Sequence, residues 1–133
     1  MSVPKGFSPW TGGGPFIDLI GPVYVKGDGE ERAFGLRIEE KHLNVAGVAQ
    51  GGVLATLADH SLGRAIRAGR DDDERSATVS LTTDYLGPAK EGDWVESTTK
   101  VERLAARMAF ADCSLRVDDR EIVRARAVFA VVS

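Results

Sequence analysis

With 133 residues the chain has room for one domain and for a sizeable core that needs no disulfide or metal to hold it, and its 43% hydrophobic and 28% charged content is that of an ordinary globular protein. The single cysteine, Cys113, excludes an internal disulfide and a cysteine-based zinc site, and with only His42 and His60 beside it no metal centre is expected. Seventeen basic against twenty acidic residues, a net charge of −3, argue against generic nucleic-acid binding, and with no secretion signal and no apolar run long enough for a bilayer the expectation is a cytoplasmic protein without a membrane partner.

Residues 1–15, dense in glycine and proline and without periodicity, read as a flexible N-terminal arm, and residues 16–133 as the single domain. A short helical turn is predicted around Pro15–Leu19. Strands are expected at Val23–Lys26 and Ala33–Glu39, on either side of the turn Gly27-Asp28-Gly29. In the second, Phe34, Leu36 and Ile38 alternate with Gly35, Arg37 and Glu39, the two-residue period of a strand with one buried face. After a glycine- and alanine-rich stretch, Leu54, Leu57, Ser61, Leu62 and Ala65 recur at spacings of three and four and predict an amphipathic helix over Gly51–Arg67. Gly69 and the charged residues after it end that helix in a solvated loop. Four further strands follow, Ala77–Tyr85, Trp94–Arg103, Met108–Val117 and Glu121–Val132, separated by Gly87-Pro88, Glu91-Gly92-Asp93 and Asp118-Asp119-Arg120. Two strands, one helix and four strands in meander order predict an α+β domain, an antiparallel sheet folded around a helix.

Asp59 lies about two turns into that helix, where a carboxylate neither caps the end nor gains much from the helix dipole. Its neighbours on the same face are Ala55, Thr56 and Gly63, with Gly52 one turn further back. All are small, which leaves space above the carboxylate for another backbone or a ligand. Gly63 costs about 1 kcal/mol relative to alanine in a helix interior, so packing or access is its expected reason. The helix pattern by itself is met as readily by an Asp59 exposed on the solvated side near His60 and Arg64.

Gln50-Gly51-Gly52 opens the helix. Backbone N–H groups there lack partners and sit at the positive end of the dipole, a place able to hold a carbonyl oxygen as it becomes an oxyanion. A tight loop-to-helix turn uses the same glycines. Gly51 and Asp59 are separated by about 12 Å along the axis at 1.5 Å per residue, whereas reacting groups approach to about 3–3.5 Å. If both act on one carbonyl, Asp59 comes from a second copy of the helix, as in a two-fold dimer with adjacent antiparallel helices.

The run His42-Leu43-Asn44-Val45-Ala46-Gly47-Val48-Ala49-Gln50-Gly51-Gly52, leading into Leu57-Ala58-Asp59 and Gly63, resembles the signature of hotdog-fold acyl-CoA thioesterases. The nearest group is the phenylacetate-pathway (PaaI-like) thioesterases, with the pattern H-x-N-x-x-G-x-x-H-G-G followed by L-x-D. Tyr85-Leu86-Gly87-Pro88-Ala89-Lys90-Glu91-Gly92-Asp93 is similar to that family's Y-x-x-P-A-x-x-G-D turn. The resemblance implies a curved antiparallel sheet wrapped around one long helix, a homodimer that pairs into a tetramer, and active sites between subunits. It also implies hydrolysis of acyl-CoA thioesters, with aromatic or medium-chain acyl groups, to the free acid and CoA. No cofactor is implied, CoA being part of the substrate.

On this resemblance Asp59 is the general base or nucleophile, and the N–H of Gly51, helped by Gly52, the oxyanion donor. Asn44 would position water or substrate, and Thr78 would supply a hydroxyl near the attacking water. Asn44, Gln50 and Gly51 would come from one subunit, Asp59 and Thr78 from the other. Gln50 departs from the family's histidine; its amide still donates a hydrogen bond but carries no proton near neutral pH. His42, Gly63, Tyr85 and Pro88 are expected around the substrate, and Lys90 near a CoA phosphate. Arg103, Arg107, Arg124 and Arg126 are candidates for an electropositive rim, and Cys113 for a core thiol. Two other functions fit the same residues: a non-catalytic acyl-CoA-binding module, which Gln50 favours, and a hydratase or dehydratase using His60.

Overall fold

A computed structural model describes residues 2–132. The elements are β1 (Ser8–Pro9), α1 (Pro15–Ile20), β2 (Val23–Lys26), β3 (Ala33–Arg37), α2 (Gly51–Ala68), β4 (Ser76–Tyr85), β5 (Trp94–Leu104), β6 (Met108–Val117) and β7 (Arg120–Val131). The seven strands form one sheet in the order β1-β2-β3-β5-β6-β7-β4, with every neighbouring pair antiparallel. Its inner face packs on α2, the sheet-around-a-helix arrangement of the hotdog fold.

The periodicity of α2 accounts for its seat. Leu54, Leu57, Ala58, Ser61, Leu62, Ala65 and Ile66 form the buried stripe and meet inward side chains of β6 and β7, among them Ala109, Ala111, Ala125 and Ala127. Small residues at those four places let the helix lie close to the sheet. Gly69 follows the last turn, its N–H closing onto the Ile66 carbonyl.

The four strands after the helix are not a meander. β5, β6 and β7 are consecutive neighbours, but β4 pairs with β7 at the far edge. The connection after β4 is not a hairpin but a segment anchored by backbone hydrogen bonds along its length. Leu86 donates its N–H to the carbonyl of Ile122, in β7; Ala89 is buried and accepts from Ala49; and Asp93 accepts from Ile38, just beyond β3. The segment thereby crosses from one side of the sheet to the other before β5 begins.

The arm also contributes structure. Ser8 and Pro9 pair with Val25 and Tyr24 of β2. Phe7 packs edge-on against Trp94, with ring centroids 5.1 Å apart, while Trp10 packs edge-on against the buried Phe34, at 5.3 Å.

One buried polar cluster joins helix and sheet. Ser61 Oγ reaches the Leu57 carbonyl at 2.7 Å and Ser97 Oγ at 2.9 Å, and Ser97 Oγ accepts the Phe34 N–H at 3.0 Å. The β3–β5 pairing runs from Gly35 to Arg37, so the Ser97 hydroxyl takes the Phe34 N–H where the ladder stops. Ser97→Ala leaves that buried N–H without a partner, and chemical denaturation should show a loss of about 1–3 kcal/mol.

Candidate active site

The loop before α2 is held by its own polar groups. His42 is buried; its Nδ1 accepts the Glu39 N–H at 2.8 Å and its Nε2 faces the Ile20 carbonyl at 2.5 Å. Both ring nitrogens are therefore engaged inside the chain, and His42 ties this loop to the end of α1 rather than offering a nitrogen to substrate. Asn44 Oδ1 accepts from Ala46 at 2.9 Å and from Val48 at 3.3 Å, and its backbone N–H bonds the Val48 carbonyl. It shapes a tight turn, with Gly47 at φ +82°.

This scaffolding delivers Gln50, exposed, to the tip of α2. The N–H groups of Gly51 and Gly52 there find no acceptor among the described residues. Tyr85 closes one side: its hydroxyl donates to the Gly51 carbonyl at 2.9 Å, and its ring lies 3.2 Å from where a Gly51 Cβ would stand. A side chain at residue 51 would push that ring aside. At Gly52 a Cβ would meet nothing within 4 Å, so that flank of the helix tip is open.

Asp59 faces away from the core stripe, half-buried, and its Oδ1 accepts the Thr78 hydroxyl at 2.9 Å. This contact depends on an irregularity in β4. Leu81 packs toward the core and Tyr85 reaches α2, so odd-numbered residues of that part of the strand face the helix. Strict alternation would turn Thr78 outward. The register against β7 slips between Thr78 and Ser80, inserting Val79 as a bulge, which reverses the parity and brings Thr78 to Asp59. Along the same helix face Thr56 returns its hydroxyl to the Gly52 carbonyl, and Gly63 lies 3.5 Å, measured from a would-be Cβ, from the Phe129 ring.

The crossing segment is anchored by backbone more than by side chains. The Pro88 carbonyl accepts from Arg120, the Lys90 N–H bonds Asp93, and the Lys90 side chain is exposed. Two of the four candidate rim arginines are already paired, Arg124 with Glu121 at 2.8 Å and Arg126 with Asp112 at 3.3 Å. Cys113 is buried, and its thiol is pushed up to about 12 by that burial. Among the described residues no group of three His, Cys, Asp or Glu could hold a metal ion, and no helix is long and apolar enough to cross a membrane.

Sequence reasoning missed one cluster. His60 Nε2 accepts the Trp10 indole N–H at 2.9 Å, and its ring stands edge-on to Phe34 at 5.0 Å. Burial first, and the charge of Arg64 second, push its pKa down to about 4. No local signal joins residues fifty positions apart. An unfolded histidine titrates near 6.5, so in the acid range the unfolded chain binds a proton that the folded one refuses. Stability is complete above about pH 6.5 and falls as pH drops from there toward about 4. In thermal denaturation this fall should be shallower for His60→Gln, whose amide oxygen can accept the Trp10 N–H at any pH.

Comparisons with known proteins converge on one family. The profile of the thioesterase superfamily matches residues 46–124. A Pseudomonas aeruginosa protein named as a candidate esterase is 42% identical over 130 residues, 97% of each chain. Acyl-coenzyme A thioesterase 13 of Mus musculus is 31% identical over 83 residues, 60% of this chain and 56% of that one. Among solved structures, the Escherichia coli PaaI protein from the phenylacetic acid degradation operon superposes with a TM-score of 0.81 over 89% of this chain and 84% of that one, at 17% identity. That last likeness is one of fold.

Proposed function

The chain belongs to the thioesterase superfamily, and from that premise we propose that it hydrolyses acyl-CoA thioesters to a carboxylic acid and CoA, with the carboxylate of Asp59 as the reacting acid–base or nucleophilic group. The observation that carries this reading is the Thr78–Asp59 hydrogen bond at 2.9 Å. It fixes one carboxylate oxygen and leaves the other for chemistry. As general base, Asp59 takes a proton from water as the water oxygen attacks the thioester carbonyl. Negative charge grows on the carbonyl oxygen and is met by the N–H groups of Gly51 and Gly52. The C–S bond then breaks, and the proton passes to the departing thiolate. As nucleophile, Asp59 attacks the carbonyl carbon, the C–S bond breaks and CoA leaves as the thiolate. Water then cleaves the resulting anhydride to the carboxylic acid and the Asp59 carboxylate, the second proton of the water passing to the thiolate. Gln50 supplies an amide donor beside the carbonyl, and Tyr85 and the open face of Gly52 border the acyl entrance. The acyl groups expected are aromatic or medium-chain.

Gly51 and Asp59 lie too far apart on one α2 to serve one carbonyl, so the reading requires a homodimer with sites shared between subunits. The surface supports this. β4 is the last strand of the sheet and spans ten residues. Its stretch from Ala77 to Thr83 carries no charge, and Val79, Tyr85 and the adjoining Leu86 are 61%, 52% and 53% exposed. A long, uncharged edge invites strand pairing, and a second copy would satisfy it.

The test is release of free thiol from a panel of acyl-CoA esters. Asp59→Asn should lower the rate at least about a hundredfold, the contribution of a general base. A module that binds without turnover would give equally negligible release from both proteins. Site sharing is tested by mixing two inactive variants. Gly51→Pro removes the N–H at the first helical position, where the backbone tolerates proline, and its ring also displaces that of Tyr85. Remixed with Asp59→Asn, it should restore about a quarter of the wild-type activity, because half the dimers then hold one intact site. No recovery would overturn the joint action of Gly51 and Asp59 across subunits.

A further inference from the structure

The second half of α2 and the loop before β3 bring together three arginines that form no ion pair among the described residues. Arg64 and Arg67 lie one turn apart on α2, and Arg32 precedes β3. The guanidinium carbons of Arg32 and Arg64 stand 5.4 Å and 5.0 Å from the Trp10 ring centre. Trp10 is itself fixed by its N–H to His60 and by Phe34. Arg70 offers a contrast in its terminal nitrogens, which donate to the carbonyls of Ala105, Ala106 and Met108, although its Nε, like that of Arg64, has no partner among the described residues. Arg32, Arg64 and Arg67 make no ion pair and donate no side-chain hydrogen bond among the described residues. The Glu30 carboxylate lies beside Gly69, at the end of α2, and is not paired with them.

Arg64 Nε is buried without a hydrogen-bond partner. Burial, then the charges of Arg32 and Arg67, hold Arg64 below the ordinary arginine range.

We propose that Arg32, Arg64 and Arg67, ordered around Trp10, form a binding site for the phosphate groups of an anionic ligand. Guanidinium forks match phosphate oxygens two at a time, and the aromatic plane keeps two of the forks in place while the site is empty. The phosphates could belong to the CoA portion of a thioester bound near Asp59 or to a separate phosphorylated ligand. The chemistry is shared, and the site does not depend on what Asp59 does.

Calorimetric titration with inorganic pyrophosphate tests the site without any turnover. Wild type should bind it with an affinity that falls as salt rises. Arg64→Gln and Arg67→Gln should each weaken binding at least about tenfold, as expected for loss of a charge-assisted hydrogen bond, while Arg75→Gln behaves as wild type. Arg67 is exposed, so its substitution keeps the test valid should Arg64→Gln fold poorly. Where the phosphates are those of the substrate, the two variants also raise KM for an acyl-CoA and leave KM for the phosphate-free acyl-pantetheine unchanged. Where the ligand is separate, pyrophosphate binding is lost and neither KM moves. No binding by wild type, or equal binding by both variants, overturns the proposal.

Discussion

Burial of one stripe of α2 against the curled sheet governs the placement of every polar group discussed above. The helix commits seven residues to the core, and each large aliphatic side chain among them contributes about 1.5–3 kcal/mol. Advancing the stripe by a single residue would rotate the helix by about 100° and bring most of those side chains into water. The rotation of α2 is thus set by Leu54, Leu57, Leu62 and Ile66. Asp59 and Gly52 occupy the opposite side because the core side is taken.

The sheet answers the helix with local departures from regularity. The Val79 bulge costs one ladder pairing and re-aims Thr78 at the carboxylate. Ser97 replaces a strand partner for Phe34 with a hydroxyl. The segment after β4 gives up a hairpin to bind β7, the loop before α2 and the end of β3 in succession. Each exception lies where the sheet meets α2 or the loop that feeds it, which is where a carbonyl-activating site must be held rigid.

The arm holds both faces of the sheet edge, Phe7 against Trp94 on one side and Trp10 against Phe34 on the other. Trp10 then links three things distant in sequence: the edge, the His60 imidazole and two arginines. Crowding cations that form no ion pair opposes folding, and the aromatic contacts offset part of that repulsion.

Much of this was legible from local pattern. Period-two alternation located β3 and β7, and spacings of three and four located α2 and its buried face, because side-chain direction in a regular element follows from backbone geometry alone. The glycines at the tip of α2 and the carboxylate two turns along were visible for the same reason. The sequence by itself therefore determined the elements other than β1, which lies in the stretch read as a flexible arm, the buried faces of β3 and α2, and which polar residues ride on α2. Strand order, the inward turn of Thr78, the locking of His42 and the meeting of Trp10 with His60 and Arg64 were decided only in the folded chain. They rest on contacts between residues tens of positions apart, and a bulge or a long-range hydrogen bond leaves no periodic trace in the segments that form it.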